Sequence, residues 1–92
     1  MCIIKDINPI AKQHYLAFLR RNDFERFDEL ADEKHKEAMW HLINKSAAFA
    51  KKHMPDGYRI VINNGKDARQ TVEHLHIHII GGEELGWSKC AN

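Results

Sequence analysis

The stretch His74-Leu75-His76-Ile77-His78-Ile79-Ile80 alternates histidine with large aliphatic residues. Successive side chains of a β-strand point to opposite faces, so this period of two predicts a strand. Leu75, Ile77 and Ile79 would then pack on a core, and the three histidines would share the other face. We expect Gly81-Gly82 to end the strand.

Histidine side chains give the predicted strand its chemistry. An imidazole has an ordinary pKa near ~6.5, so it can act as a base, an acid or a nucleophile at neutral pH. On a straight strand, His74 and His78 would each lie about 6.5–7 Å from His76. His76 is therefore the candidate nucleophile, with one neighbour to orient it and another to contact a substrate anion. Two alternatives are a zinc site, completed by His14 or a cysteine, and a solvated strand face.

Length and composition narrow the classes of protein. The 92 residues predict a single domain, residues 1–92, in which 43% of residues are hydrophobic and 29% are charged. A net charge of +1 gives no electrostatic reason to expect nucleic acid or a membrane as a partner. Met1–Asp6 is too short and too soon charged for a signal peptide. With only Cys2 and Cys90, we expect a reducing cytoplasm.

The rest of the sequence predicts an α+β fold. The predicted elements are strands at 2–4 and 14–19, a helix at 32–53, and strands at 58–62 and 70–80. Asp32 is suited to cap the helix, and Pro55 and Gly57 stop it. The inward stripe of the helix comprises Met39, Leu42, Ile43, Ser46, Phe49 and Ala50. Asn63-Asn64-Gly65 predicts a tight turn, so the last two strands should pair antiparallel, with the helix on one sheet face.

Five blocks of the chain resemble the histidine triad (HIT) superfamily. These blocks are Asp6-Ile7-Asn8-Pro9, His14-Tyr15-Leu16, Val61-Ile62-Asn63-Asn64-Gly65, Gln70-Thr71-Val72 and the alternating histidine stretch ahead of the two glycines. Trp87 lies where the Hint-like nucleoside phosphoramidase branch carries a C-terminal tryptophan. The resemblance covers essentially the whole chain. It implies a HIT-like antiparallel sheet with one long helix packed on it, assembled as a homodimer.

The resemblance also implies an activity. It is that of a hydrolase cleaving nucleoside 5′-phosphoramidates, or related adenylated compounds, at the α-phosphate through a covalent nucleotidyl-histidine. By this resemblance His76 is the nucleophile, His78 contacts the phosphate and His74 orients His76. His14 belongs to the same site and moves the leaving-group proton. No metal or other cofactor is required in this branch, and histidine at position 78 favours hydrolysis over nucleotide transfer.

The nucleotide-binding residues follow from the same resemblance. Asp6 would accept from the ribose hydroxyls, and Asn63 and Thr71 would bond near the 5′-oxygen and phosphate. The other nucleotide-binding residues that it predicts are Ile4, Ile7, Gln70 and Trp87. The expected partners are a purine nucleotide or nucleoside phosphoramidate and a second copy of the chain, since the tryptophan tail reaches the partner's site in that branch.

Three features depart from the family pattern. We expect an N-terminally short domain, because the family's helix and strand ahead of Cys2 have no counterpart in the sequence. Leu19-Arg20-Arg21-Asn22 replaces a Pro-Lys-Lys-His segment, and Ala68-Arg69 stands where small glycines are common. Three alternatives therefore stay open: a dinucleoside polyphosphate hydrolase of the same superfamily, a zinc-binding protein and a weakly catalytic interaction module.

Overall fold

Four strands form one antiparallel sheet in the computed structural model, which describes residues 1–20 and 24–89. The strands are β1 (Cys2–Lys5), β2 (Gln13–Phe18), β3 (Tyr58–Val61) and β4 (Ile77–Gly81). The helices are α1 (Phe27–Leu30) and α2 (Lys36–His53), with 3₁₀ helices at Glu33–His35 and Lys66–Ala68. The strands lie in the order β1-β2-β4-β3, so β2 and β4 are central. The predicted α+β fold with one long helix is confirmed.

Helix α2 covers one face of the sheet. Ile77 and Ile79 of β4 are buried there and share one hydrophobic core with Leu42 and Ala50 of the helix. The predicted inward stripe is correct for Leu42 and Ala50, whereas Ile43 is 43% exposed. Within the part of the chain that the structure describes, no helix is long and apolar enough to cross a membrane.

The start of the long helix is set by Asp32. Its carboxylate accepts from the Lys34 amide at 3.1 Å, which caps a 3₁₀ turn that leads into α2. The α-helix proper therefore begins at Lys36, a few residues after the predicted start. It ends at His53 as predicted, where Met54 leaves the helical region with φ −135° and ψ 65°.

Strand β4 is shorter than the sequence predicted. It starts at Ile77 rather than near residue 70, because the backbone ahead of it bonds elsewhere. The Leu75 amide donates to the Phe24 carbonyl at 3.0 Å, and the His74 carbonyl accepts from a side chain. The alternation of core residues nevertheless holds, since Leu75 is buried as predicted.

Residues 62–76 form a long connection in place of the predicted tight turn. The side chain of Gln70 organises it. Its Oε1 accepts from the Gly65 amide at 2.8 Å, and its Nε2 donates to the carbonyls of Val72 and Glu25. These bonds satisfy polar groups that a hairpin ladder would otherwise pair, so the chain curls before it rejoins the sheet.

The opposite face of the sheet, which we call the histidine face, presents a row of side chains across all four strands. Ile4 pairs with Leu16, Leu16 with His78, and His78 with Val61. Residues directly opposite each other in antiparallel strands point to the same side. His78 therefore lies in an apolar row, on the side of the sheet away from α2.

The C-terminal segment is attached to the sheet by side chains. Arg59 donates to the carbonyls of Gly86 and Lys89. Glu83 accepts from the Lys12 amide at 2.8 Å and from the Lys89 ammonium at 2.7 Å. These two contacts of Glu83 lower the pKa of its carboxyl group. The loop ahead of β2 and the C-terminal segment are thereby joined.

Candidate active site

His76 lies just ahead of β4 and is half-buried. Its Nδ1 is 2.9 Å from the backbone carbonyl of His74. A carbonyl oxygen can only accept, so Nδ1 carries the hydrogen and Nε2 presents a lone pair. The ring is held in one orientation with its nucleophilic nitrogen pointing away from its own backbone anchor.

His78 is the most buried member of the trio, with 2% of its surface exposed. Its ring lies edge to face against His76, with centroids 4.9 Å apart. On its other side, its Nδ1 is 3.0 Å from His14 Nε2. The sequence pattern predicted that His76 and His78 are neighbours, but it did not reveal the direct contact between His78 and His14.

His14 is anchored between two elements. It lies on β2, 4% exposed, and its Nε2 is 3.2 Å from Oδ2 of Asp6, which follows β1. The other carboxylate oxygen of Asp6 accepts from the Asn8 amide at 2.8 Å. Burial lowers the pKa of His14 below its ordinary value of 6.5, and the Asp6 charge opposes this only in part. Burial therefore favours the neutral form of the His14 imidazole.

His74 makes no ring contact with His76 or His78 among the residues that the structure describes. Its ring packs edge-on against Phe18, with centroids 5.4 Å apart. Its Nε2 is buried and has no hydrogen-bond partner among residues 1–20 and 24–89. The strand begins only at Ile77, three residues after His74. His74 contacts His76 through its backbone carbonyl.

Leu16 and Val61 lie directly opposite His78 in the sheet, and Ile4 lies opposite Leu16. Ile4 is 49% exposed and Ile7 91% exposed, and both were predicted to bind nucleotide. The register adds Leu16 and Val61, which sequence reasoning missed. Leu16 follows His14 by two residues on β2, so strand periodicity alone was a signal that could have found it.

The other predicted site residues differ in exposure and in their contacts. Asn63 is half-buried, Thr71 is exposed and Trp87 is 97% exposed. Thr71 borders a cleft of about 450 Å³ that also contacts Arg69. Arg69 has a φ of 61°, the left-handed conformation that glycine favours, at the position where the family commonly has glycine. The amide of Gln70 bonds to the protein's own backbone.

Asp6, His14 and His78 could in principle hold a metal ion. Their nearest ligand atoms are 3.2, 3.0 and 4.0 Å apart, close to the separation of about 3.3 Å between ligands of tetrahedral zinc. The hydrogen positions do not fit, however. The Ile10 amide donates to His14 Nδ1 at 3.3 Å, so Nε2 carries the hydrogen and has no lone pair for a metal.

The arrangement is a candidate histidine-based active site, in which one ring presents a lone pair and a buried histidine pair lies beside it. A HIT domain matches residues 1–85, and the chain therefore belongs to the HIT family. The resemblance found in the sequence is confirmed at the level of the superfamily.

Several curated proteins are similar to this chain. A maize "14 kDa zinc-binding protein" is 37% identical over 90% of this chain and 66% of its own length. Protein pkiA of Dictyostelium discoideum is 40% identical over 94% of this chain and 70% of its own. Adenylylsulfatase HINT1 of Arabidopsis thaliana is 33% identical over 90% of this chain and 57% of its own length. The chain thus spans between 57% and 70% of the lengths of these relatives.

Solved structures share the fold. A HIT family hydrolase from Clostridium thermocellum superposes with a TM-score of 0.83 at 31% identity, over 96% of this chain and 76% of that one. A HIT family hydrolase from Legionella pneumophila gives a TM-score of 0.84 at 24% identity, over 94% and 77% of the two chains. The second likeness bears on the fold alone.

Proposed function

We propose that this chain is a nucleotide hydrolase that cleaves nucleoside 5′-phosphoramidates, or related adenylated compounds, at the α-phosphate. One observation carries the proposal: the His74 carbonyl holds the Nδ1 hydrogen of His76 and leaves Nε2 available for attack. Membership of the HIT family and a relative named as an adenylylsulfatase support it.

The reaction has two displacements. His76 Nε2 attacks the α-phosphorus, the bond from phosphorus to the leaving nitrogen breaks, and the departing amine takes up a proton. Water then attacks the phosphorus of the nucleotidyl-histidine, the bond to Nε2 breaks, and nucleoside monophosphate is released with loss of a proton from the water. Each displacement is easier than a single direct one, because the imidazole is both a good nucleophile and a good leaving group.

Other residues bind and move protons in this proposal. His78 meets the phosphate, and the leaving amine takes a proton that comes from solvent by way of the His78–His14 pair, a contribution of typically ~10²–10⁴-fold. Asp6 accepts from the ribose in addition to its contact with His14. The nucleobase packs on the exposed apolar surface at Ile4 and Ile7. Two further predicted ligands, Asn63 and Thr71, bond near the 5′-oxygen.

The test is hydrolysis of a fluorogenic adenosine phosphoramidate. We expect His76→Ala to lower kcat/KM by about 10³-fold or more, because the nucleophile is lost. The matched control is His41→Ala, the same change at an exposed helix position, which should retain wild-type turnover. Circular dichroism checks that both variants fold. Full activity of folded His76→Ala would overturn the proposal.

Two further measurements distinguish the proposed activity from two alternative functions. A dinucleoside polyphosphate hydrolase would turn over diadenosine polyphosphate faster than the phosphoramidate. A weakly catalytic interaction module would give no calorimetric heat with adenosine or guanosine monophosphate. Either result would replace the proposed activity.

Zinc binding is the second candidate function. The name of the maize relative and the closeness of Asp6, His14 and His78 favour it, whereas the Ile10 amide opposes it. Elemental analysis of protein purified without added metal decides between zinc binding and the proposed metal-free hydrolysis. Stoichiometric zinc would favour the metal-binding alternative.

We also propose that the protein acts as a homodimer in the cytoplasm. The outer strand β3 supports the dimer, because it is an edge of the sheet and carries two partly exposed apolar residues. Tyr58 is 40% exposed and Ile60 43% exposed. An open edge with apolar side chains is a ready surface for a second copy.

A further inference from the structure

We infer that the Ile10 backbone amide, together with the Asp6 carboxylate, fixes the proton position on His14 and through it makes His78 a hydrogen-bond donor at Nε2. His14 and Ile10 are thus positioning residues that give His78 and His76 opposite tautomers. The proton positions rest on geometry alone. Their value for catalysis rests on the proposed function.

Two independent contacts set the tautomer of His14. The Ile10 amide, 3.3 Å from Nδ1, can only donate, so Nδ1 must accept. The Asp6 carboxylate, 3.2 Å from Nε2, can only accept while it is ionised, so Nε2 must donate. Both constraints require the hydrogen on Nε2. The ring is buried, so water does not compete for either nitrogen.

The tautomer of His78 follows from that of His14. Nδ1 of His78 is 3.0 Å from the hydrogen-bearing Nε2 of His14. A second hydrogen there would bring two donors together, and the Asp6 carboxylate is 4.0 Å away, too far to accept it. Nδ1 of His78 therefore accepts, and its own hydrogen lies on Nε2, on the side of the ring away from His14.

Neighbouring rings thereby receive opposite tautomers. A carbonyl places the hydrogen of His76 on Nδ1, whereas the chain from Ile10 through His14 places the hydrogen of His78 on Nε2. The two rings are 4.9 Å apart, yet one presents a lone pair and the other a donor. A nucleophile and a donor for a phosphate oxygen or leaving group are therefore arranged before substrate arrives.

The same constraint disfavours zinc at this cluster. To ligate a metal through Nε2, His14 would have to move its hydrogen to Nδ1, where it would face the Ile10 amide. Removing that amide hydrogen should therefore increase the affinity of this site for a metal ion. The substitution Ile10→Pro does so, since proline has no backbone N–H. Ile10→Ala keeps the N–H and shortens the side chain, so it is the matched control.

The direct test is the tautomer of each histidine, from imidazole ¹⁵N chemical shifts in the unmodified protein above the titration range. We expect hydrogen on Nε2 of His14 and His78 and on Nδ1 of His76. Hydrogen on Nδ1 of either His14 or His78 would overturn the inference. This readout needs neither catalysis nor a variant that folds.

The second test compares Ile10→Pro with Ile10→Ala. We expect Ile10→Pro to bind zinc ion about tenfold more tightly, a difference of one hydrogen bond, and to lose the advantage when His14→Gln is added. We also expect kcat for the phosphoramidate to be about tenfold lower in Ile10→Pro, with KM within about twofold. Equal zinc affinities in the two folded variants would contradict the inference.

The outcomes separate the two proposals. Predicted tautomers in a protein that hydrolyses no phosphoramidate would leave the positioning of His14 intact and overturn the proposed activity. Hydrolysis through His76 in a protein whose His78 carries its hydrogen on Nδ1 would do the reverse.

Discussion

At the scale of single residues, the three histidines of the alternating stretch differ in anchoring and packing because their contact partners differ. His76 is anchored by a carbonyl and His78 by another imidazole, while His74 packs against Phe18. The sequence predicted three histidines in one place, because alternation is a local property. It could not predict their partners, because His14 is 64 residues distant from His78 and the Ile10 amide is a backbone group that any residue except proline supplies.

Burial of His14 has a consequence for stability against pH. Its folded pKa is lowered, so below about pH 6.5 the unfolded chain binds more protons than the folded one, and stability falls with falling pH. The groups facing the ring are Asp6 from the end of β1 and His78 from β4. Removing the titration by His14→Gln should remove this part of the loss.

We therefore expect the wild-type free energy of unfolding to fall more steeply than that of His14→Gln as the pH drops from about 6.5. Urea unfolding at a series of pH values measures both slopes, and the other six histidines are common to the two proteins. A steeper slope for the variant would contradict the cause given for the pKa shift.

At the scale of elements, strand and helix identities were predictable and the long connection was not. Periodicity located β2, α2 and β3 to within a few residues, and the antiparallel pairing of β3 with β4 is confirmed. For residues 62–76 the sequence predicts a tight turn and a strand, because Asn64-Gly65 is a strong turn signal. The side chain of Gln70 decides otherwise through bonds to distant backbone groups.

Gln70 should therefore stabilise this connection. We expect Gln70→Ala to lower the free energy of unfolding by roughly 1–3 kcal/mol, because three hydrogen bonds to backbone groups, one of them part-buried, are lost. Gln70→Glu keeps the acceptor for the Gly65 amide but loses both donors, so its loss should be intermediate. Chemical denaturation measures both. A change within error for Gln70→Ala would show that the bonds do not hold the connection.

At the scale of the whole molecule, the central strands are covered on both faces. Helix α2 lies on one side, and contacts from Arg59 and Glu83 attach the C-terminal segment near the other. Ile80 is fully buried on the histidine face. Amphipathic periodicity predicted the helix side. It could not predict the other cover, which consists of loops without a periodic pattern, nor whether Trp87, 97% exposed, meets a second copy.

The dimer proposal belongs to this scale. We expect Ile60→Lys to convert a dimer to a monomer, because a charge on β3 would be buried unpaired against the partner strand. Val72→Lys, at an exposed apolar position outside the strands, is the control and should remain dimeric. Light scattering coupled to size exclusion reports the mass. A monomeric wild-type protein at every concentration would refute the dimer.

The most direct measurement is capture of the covalent intermediate. Protein mixed with excess adenosine phosphoramidate, quenched with alkali to preserve the phosphorus–nitrogen bond and fragmented by mass spectrometry, should carry an adenylyl group on Nε2 of His76. The group should be absent from His76→Ala and present in His41→Ala. Nucleoside monophosphate formed without any adduct, or an adduct on His78 instead, would contradict nucleophilic catalysis by His76.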